Sequence, residues 1–125
     1  MKTIAQQLNV TKFPFEIKDE NNNEIYYENS NGYWSKAEFD ENNNRIYFED
    51  SNGFWQKREY DENNNEIYYE DSYGYWRKSE YDENNNRIYF ENSNGTIVDN
   101  RPKPIVEYTM EELTKMLGKP FKIVK

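Results

Sequence analysis

Residues 60–80 read YDENNNEIYYEDSYGYWRKSE, and near copies of this stretch stand on both sides of it. Asn22, Asn43, Asn64 and Asn85 fall one 21-residue period apart, as do Ile25, Ile46, Ile67 and Ile88, Gly32, Gly53, Gly74 and Gly95, and Trp34, Trp55 and Trp76. A fixed period of this length marks a repeat architecture in which each unit buries its apolar surface on its neighbours. The fourth unit departs from the pattern at Ile97, where the array is expected to end.

Within one unit, residues 66–70 and 75–81 read as strands, rich in Ile, Tyr and Trp, and the segments between them read as turns. Asn-Gly at 31–32, 52–53 and 94–95 is a strong two-residue hairpin signal, because both central positions of a type I′ turn need positive φ. The Asn-rich turns, such as Asp82 to Asn86, suit a three-residue loop with a bulge. Side chains alternate faces along a strand, so an odd period keeps the units in phase only if one loop is even and the other odd. A two-residue Asn-Gly loop with a three-residue Glu-Asn-Asn loop meets that condition. It places Ile67, Tyr69, Trp76, Lys78 and Glu80 on one face, and Tyr68, Tyr75, Tyr81 and Glu66 on the other, with the equivalent residues of each unit following. The second face varies more between units, at Ser35, Gln56 and Arg77, as a wetter surface would.

The expected fold is mainly β: hairpin repeats forming a twisted antiparallel meander of about eight strands, or the same hairpins wound into a solenoid. Residues 1–14 form an N-terminal cap holding a short candidate helix over 3–9 with Thr3 as its cap. Residues 15–98 form the array, and 99–125 form a C-terminal helix-strand cap. Thr109-Met110-Glu111-Glu112 is a capping box that opens a helix with an apolar stripe of Met110, Leu113, Met116 and Leu117, closed by Gly118 and Pro120. This helix is expected to seal the sheet, with Phe121 and Ile123 in a last strand protecting an edge.

The composition closes much of function space. With no Cys and no His, disulfides, thiol chemistry, the usual zinc sets and His-based triads are excluded. Mean hydropathy is −1.31, and the only leucines are Leu8, Leu113 and Leu117, so burial falls to the aromatics, 18% of residues. No apolar run suggests a signal peptide or a membrane span, and a cytoplasmic location is expected. Residues 19–100 carry 20 acids and 7 bases, net −13, while the two ends together carry +5. Such an array disfavours direct nucleic-acid binding and leaves basic ends able to dock on it.

The Tyr-Asp pairs at 60–61 and 81–82, each followed by an Asn-rich turn, resemble the YD repeats of Rhs-type toxin shells, which usually place Gly where Asn64 and Asn85 stand. The rhythm of Gly53-Phe54-Trp55 and Tyr68-Tyr69 also resembles choline-binding and other cell-wall-binding hairpin repeats. Both resemblances cover residues 15–98. The small acidic chain with its Asp99-Asn100-Arg101-Pro102 junction and terminal helix is similar to small proteins of low-GC bacteria and their phages.

Three chemistries compete for the repeated groups. Asp40, Asn42 and Asn44 imitate the start of a calcium loop, but Arg45 stands where that loop needs Gly, and ordinary turns select the same residues. Paired carboxylates can hydrolyse glycosides, but these acids sit in equivalent settings that would not split their pKa values. The aromatic ladders can stack sugars or choline, or simply pack across strands. The reading carried forward is a non-enzymatic acidic module, without cofactor or metal, that presents a Tyr-rich sheet to a protein partner. The partner is expected to be a nucleic-acid-binding protein, in the setting of a phage-encoded inhibitor of a host defence factor. The expected binding residues are Tyr26, Tyr33, Tyr47, Phe54, Tyr60, Tyr68, Tyr75, Tyr81 and Tyr89, with Glu49, Asp50, Glu70 and Asp71. The alternative is a carbohydrate- or choline-binding cell-wall module. Oligomeric state is left open.

Overall fold

The computed structural model describes residues 2–103 and 109–118. Its centre is one nine-stranded antiparallel sheet in which each strand pairs with the next in sequence. The strands are β1 (Phe15–Lys18), β2 (Glu24–Glu28), β3 (Trp34–Phe39), β4 (Arg45–Asp50), β5 (Trp55–Tyr60), β6 (Glu66–Asp71), β7 (Trp76–Tyr81), β8 (Arg87–Asn92) and β9 (Ile97–Asp99). This is the open meander rather than the solenoid, and β9 carries the sheet one strand beyond the regular units.

All the hairpin loops are built alike. In the Asn-rich loops Asp19, Asp40, Asp61 and Asp82 accept the N–H groups two and four residues on, and Asn22, Asn43, Asn64 and Asn85 take positive φ near 65°. The Gly loops repeat this chemistry, with Asn29, Asp50, Asp71 and Asn92 as acceptors and Gly32, Gly53, Gly74 and Gly95 at φ near 86°. The Gly loops are therefore three-residue loops, such as Ser51-Asn52-Gly53, closed by the Asp50 N–H donating to the Phe54 carbonyl at 2.9 Å. The two-residue type I′ loop is overturned. The first Asn of each Asn-Gly pair keeps negative φ, because a side-chain acceptor at the loop's start builds the turn from that end.

Two odd loops would throw successive units out of phase, and a bulge restores the phase. Glu38 pairs with Tyr47 but Phe39 pairs with Arg45, so Ile46 has no partner on β3. Ile25, Ile67 and Ile88 are skipped in the same way. One extra residue per unit is the odd count that a 21-residue period requires.

The bulge also exchanges the two residues that follow it. Partners across an antiparallel pair share a face, so Glu38↔Tyr47↔Lys57↔Glu70↔Trp76 is one row of one face. Tyr26, Tyr47, Tyr68 and Tyr89 thus lie with the tryptophans, and Tyr27, Phe48, Tyr69 and Phe90 lie opposite, the reverse of the expectation. We call these the tryptophan face and the arginine face. The arginine face is the more variable one, as expected, but not the wetter. Ser35, Gln56 and Arg77 are half-buried, whereas Lys36, Lys57, Lys78 and Glu38, Glu59, Glu80 on the tryptophan face are exposed.

Helix α1 (Ile4–Gln7) packs on the first unit, with Thr3 and Gln6 forming a reciprocal capping box and Ala5 fully buried. Helix α2 (Met110–Leu117) has the expected capping box at Thr109 and Glu112 and ends at Gly118 in the left-handed conformation. Its stripe does not seal the sheet as expected: Met116 and Leu117 are 66% and 59% exposed. Phe121 and Ile123, expected in a last strand, lie outside the described residues. No helix among the described residues is long and apolar enough to cross a membrane.

Gly53 meets nothing within 4 Å of an added Cβ, so its φ of +88° alone sets the cost of a side chain there. Gly53→Ala is expected to lose about 1–2 kcal/mol in urea unfolding. Gly53→Asn is expected to lose less, since Asn holds the same conformation in the loops at the sheet's other end.

Candidate interaction surfaces

The tryptophan face repeats one constellation. In the third unit the Tyr68 hydroxyl donates to Glu70 Oε2 at 3.4 Å, Glu70 lies across from Lys57 and Trp76, and the Lys78 ammonium stands 5.3 Å above the Trp76 ring. The second unit repeats it with Tyr47 and Glu49 at 3.4 Å and Lys57 at 5.3 Å above Trp55. Burial and the neighbouring carboxylates hold the Tyr47 and Tyr68 hydroxyls above their ordinary range. Exposed Glu38 and Glu59 complete rows of carboxylate, phenol and ammonium across the sheet with Tyr47 and Lys57 and with Tyr68 and Lys78, and exposed Glu80 pairs with Tyr89.

The first unit differs because something covers it. Glu28, 3% exposed, accepts the Thr3 hydroxyl at 2.8 Å, the Tyr26 hydroxyl at 2.8 Å and the Ala5 N–H at 3.2 Å. Burial works to raise this carboxyl, but the bonds from Thr3, Tyr26 and Ala5 outweigh it and hold it below the usual range. The same burial and the bond to Glu28 push the Tyr26 hydroxyl up to about 12. The basic N-terminus therefore docks through a hydroxyl and a backbone amide rather than through its lysines. At the other end charge does act: Arg101 pairs with Asp99 at 2.8 Å and Glu80 at 3.1 Å and stacks 4.1 Å from the Tyr89 ring centre. Those bonds hold the Asp99 carboxyl down at about 2.

On the arginine face the units cease to be copies. Arg58 and Arg77 flank the Tyr69 ring at 5.0 and 4.2 Å, and Glu66 binds them at 3.3 and 2.7 Å. One unit earlier Gln56 Oε1 accepts from both Arg45 and Arg58, each at 3.2 Å. Burial and the repulsion of Arg58 lower the Arg45 pKa. Tyr73, 83% exposed, stands where other units have Asn31, Asn52 and Asn94, with its ring 5.4 Å from that of Phe54.

The expected binding residues therefore divide. Tyr26, Tyr47, Tyr68, Tyr89, Glu49 and Glu70 share the tryptophan face, with Tyr26 already covered by α1. Tyr60 and Tyr81 share the arginine face, opposite Glu66 and Arg87. Tyr33, Phe54 and Tyr75 lie there too, beside the rings of Tyr27, Phe48 and Tyr69. Asp50 and Asp71 belong to the turns: their Oδ1 atoms accept loop N–H groups, and Asp71 Oδ2 takes the Tyr69 hydroxyl at 2.9 Å. The calcium-like Asp40 is committed in the same way, with Oδ1 taken by Asn42 and Asn44 N–H and Oδ2 by the Asn44 amide. Sequence reasoning passed over Tyr73, although its departure from the Asn of the other units was visible, and over Glu28, whose role depends on a contact 25 residues away.

No protein-family model matches this chain, and no curated protein is detectably similar to it.

Two outcomes are expected at these surfaces. A carboxylate held below its ordinary pKa stabilises the fold above that range and loses this contribution as pH falls through its folded value. The Trp34 indole NMR signal, beside α1, should therefore shift on acidification below the ordinary carboxylate range, and Glu28→Gln should remove that step. Tyr73→Asn, which restores the residue of the other units, should change stability by no more than about 0.5 kcal/mol in thermal unfolding.

Proposed function

We propose that this chain is a non-enzymatic, acidic protein-binding module whose tryptophan face engages a basic partner. The observation that carries this reading is the ladder of exposed Glu38, Glu59 and Glu80 and half-buried Glu49, Glu70 and Glu91, interleaved with Tyr47, Tyr68 and Tyr89 and opposed by Lys36, Lys57 and Lys78 and, at Glu80, by Arg101. Rows of carboxylates steer a cationic partner, and phenols beside them supply contact area at low entropic cost. The sheet fixes both without a rearrangement on binding. A cytoplasmic nucleic-acid-binding protein presents the complementary surface. The resemblance to phage and low-GC bacterial proteins supplies the setting we infer, inhibition of a host defence factor.

The carbohydrate- or choline-binding alternative has less support. The Trp34, Trp55 and Trp76 rings already carry the ammonium groups of Lys36, Lys57 and Lys78 at 5.1, 5.3 and 5.3 Å, where a ligand cation or sugar would stack.

Affinity capture from bacterial lysate, with wild-type chain and with Glu38, Glu59 and Glu80 all changed to Gln, tests the reading. A nucleic-acid-binding protein held in low salt, released in high salt and lost with the triple variant is the expected result. Retention on cell-wall polysaccharide, with no protein that depends on these glutamates, contradicts it.

A further inference from the structure

The first unit is a filled copy of a site that stands open in the next two. Tyr26, Glu28, Trp34 and Lys36 become Tyr47, Glu49, Trp55 and Lys57, then Tyr68, Glu70, Trp76 and Lys78, with each residue displaced by one period. In the filled copy Glu28 receives the Thr3 hydroxyl and the Ala5 N–H, and Ala5 leaves no surface exposed. In the open copies the carboxylate has one long bond, from Tyr47 or Tyr68 at 3.4 Å, where Tyr26 reaches Glu28 at 2.8 Å. Among the described residues the ion pairs engage only Glu66, Glu80 and Asp99, so Glu49 and Glu70 have no cation at pairing distance. The fourth unit lacks the constellation, since Ile97 replaces its tryptophan.

We propose that Glu49 and Glu70 each receive the start of a partner's helix, entering as Thr3 to Ala5 enter at Glu28: a hydroxyl N-cap, one intervening residue, then a small residue whose N–H meets the carboxylate. The intervening residue is set by the preceding strand. Ile4 lines a groove with Ile17, which pairs with Tyr26; the positions equivalent to Ile17 are Glu38 beside Tyr47 and Glu59 beside Tyr68. An apolar residue suits the filled copy and a basic one suits the open copies. The occupant is therefore a basic protein segment of the form Thr or Ser, Lys or Arg, Ala. The chain's own N-terminus, with Ile at that position, is matched to the first unit and mismatched to the others. This inference rests on the proposed binding of a basic partner and adds the chemistry of its contact.

The probe is the ten-residue peptide of residues 1–10 carrying Ile4→Lys, added to the isotope-labelled full chain. The three indole N–H signals are assigned by single Trp→Phe changes. At peptide concentrations on the order of 1 mM, suited to a short chain that must order on binding, the Trp55 and Trp76 signals shift and that of Trp34 does not. Glu49→Gln with Glu70→Gln abolishes the shifts. Thr3→Ala in the peptide weakens them about fivefold, the effect of a lost N-cap, and the unsubstituted peptide binds less tightly than the Lys form. Silence at all three indoles overturns the proposal, as does a shift at Trp34 alone or shifts indifferent to the two Gln changes. Capture of a basic protein through the exposed glutamates with no peptide response would remove this contact while leaving the module reading intact. A peptide response without any captured protein would do the reverse.

Discussion

The unpaired isoleucine in each unit is the constraint on which the rest of the molecule depends. Both kinds of loop use the same solution, an Asp or Asn side chain that closes the turn from its first position and a single left-handed residue that ends it. Two such loops would bring the chain back to the wrong face after 21 residues. The bulge at Ile25, Ile46, Ile67 and Ile88 inserts the missing residue and keeps the units in phase. Tyrosine of one unit thereby stands beside lysine and glutamate of its neighbours, and the carboxylate ladder becomes a continuous surface.

Given that phase, the two faces take different roles from the same repeat. The tryptophan face is nearly identical from unit to unit and carries its lysines and Glu38, Glu59 and Glu80 exposed. On the arginine face the rings of Tyr27, Phe48 and Tyr69 lie against Tyr33, Phe54 and Tyr75, and guanidinium groups lie over Phe48 and Tyr69. Aromatic contacts of this kind replace the aliphatic core that a leucine-poor chain lacks. Hydrogen bonds between side-chain amides of successive loops, donated by Asn23 to Asn43, by Asn44 to Asn64 and by Asn65 to Asn85, tie one end of the sheet in the same periodic manner. Each unit thus rests on its neighbours, and the first unit, having no preceding unit, rests on α1 instead.

Much of this was legible in the residues. The period, the strands, the three-residue Asn loops, the Thr3 cap, the capping box at Thr109 and the departure at Ile97 follow from spacing and turn chemistry. The distribution of residues between faces did not, because the Asn-Gly pair is a strong two-residue turn signal when read alone. Only the acceptor two residues before it, Asn29 or Asp50, converts it to a longer loop. The Asn-rich turns suggested a bulge within the loop, but its place at the isoleucine leaves no local mark, since Ile46 is as good a strand residue paired as unpaired. Glu28 was hidden for a further reason: its sequence environment is that of Glu49 and Glu70, and only the packing of Thr3 and Ala5 sets it apart. Tyr73 was the opposite case, exposed by comparing units within the chain.

The register between β3 and β4 is the point at which this account is most directly tested. Cross-strand nuclear Overhauser effects in the full chain should connect Glu38 with Tyr47 and Phe39 with Arg45, passing over Ile46. An unbroken ladder that places Ile46 opposite Glu38 would return Tyr47 to the other face, dissolve the carboxylate and tyrosine rows, and contradict the surface on which the proposed binding rests.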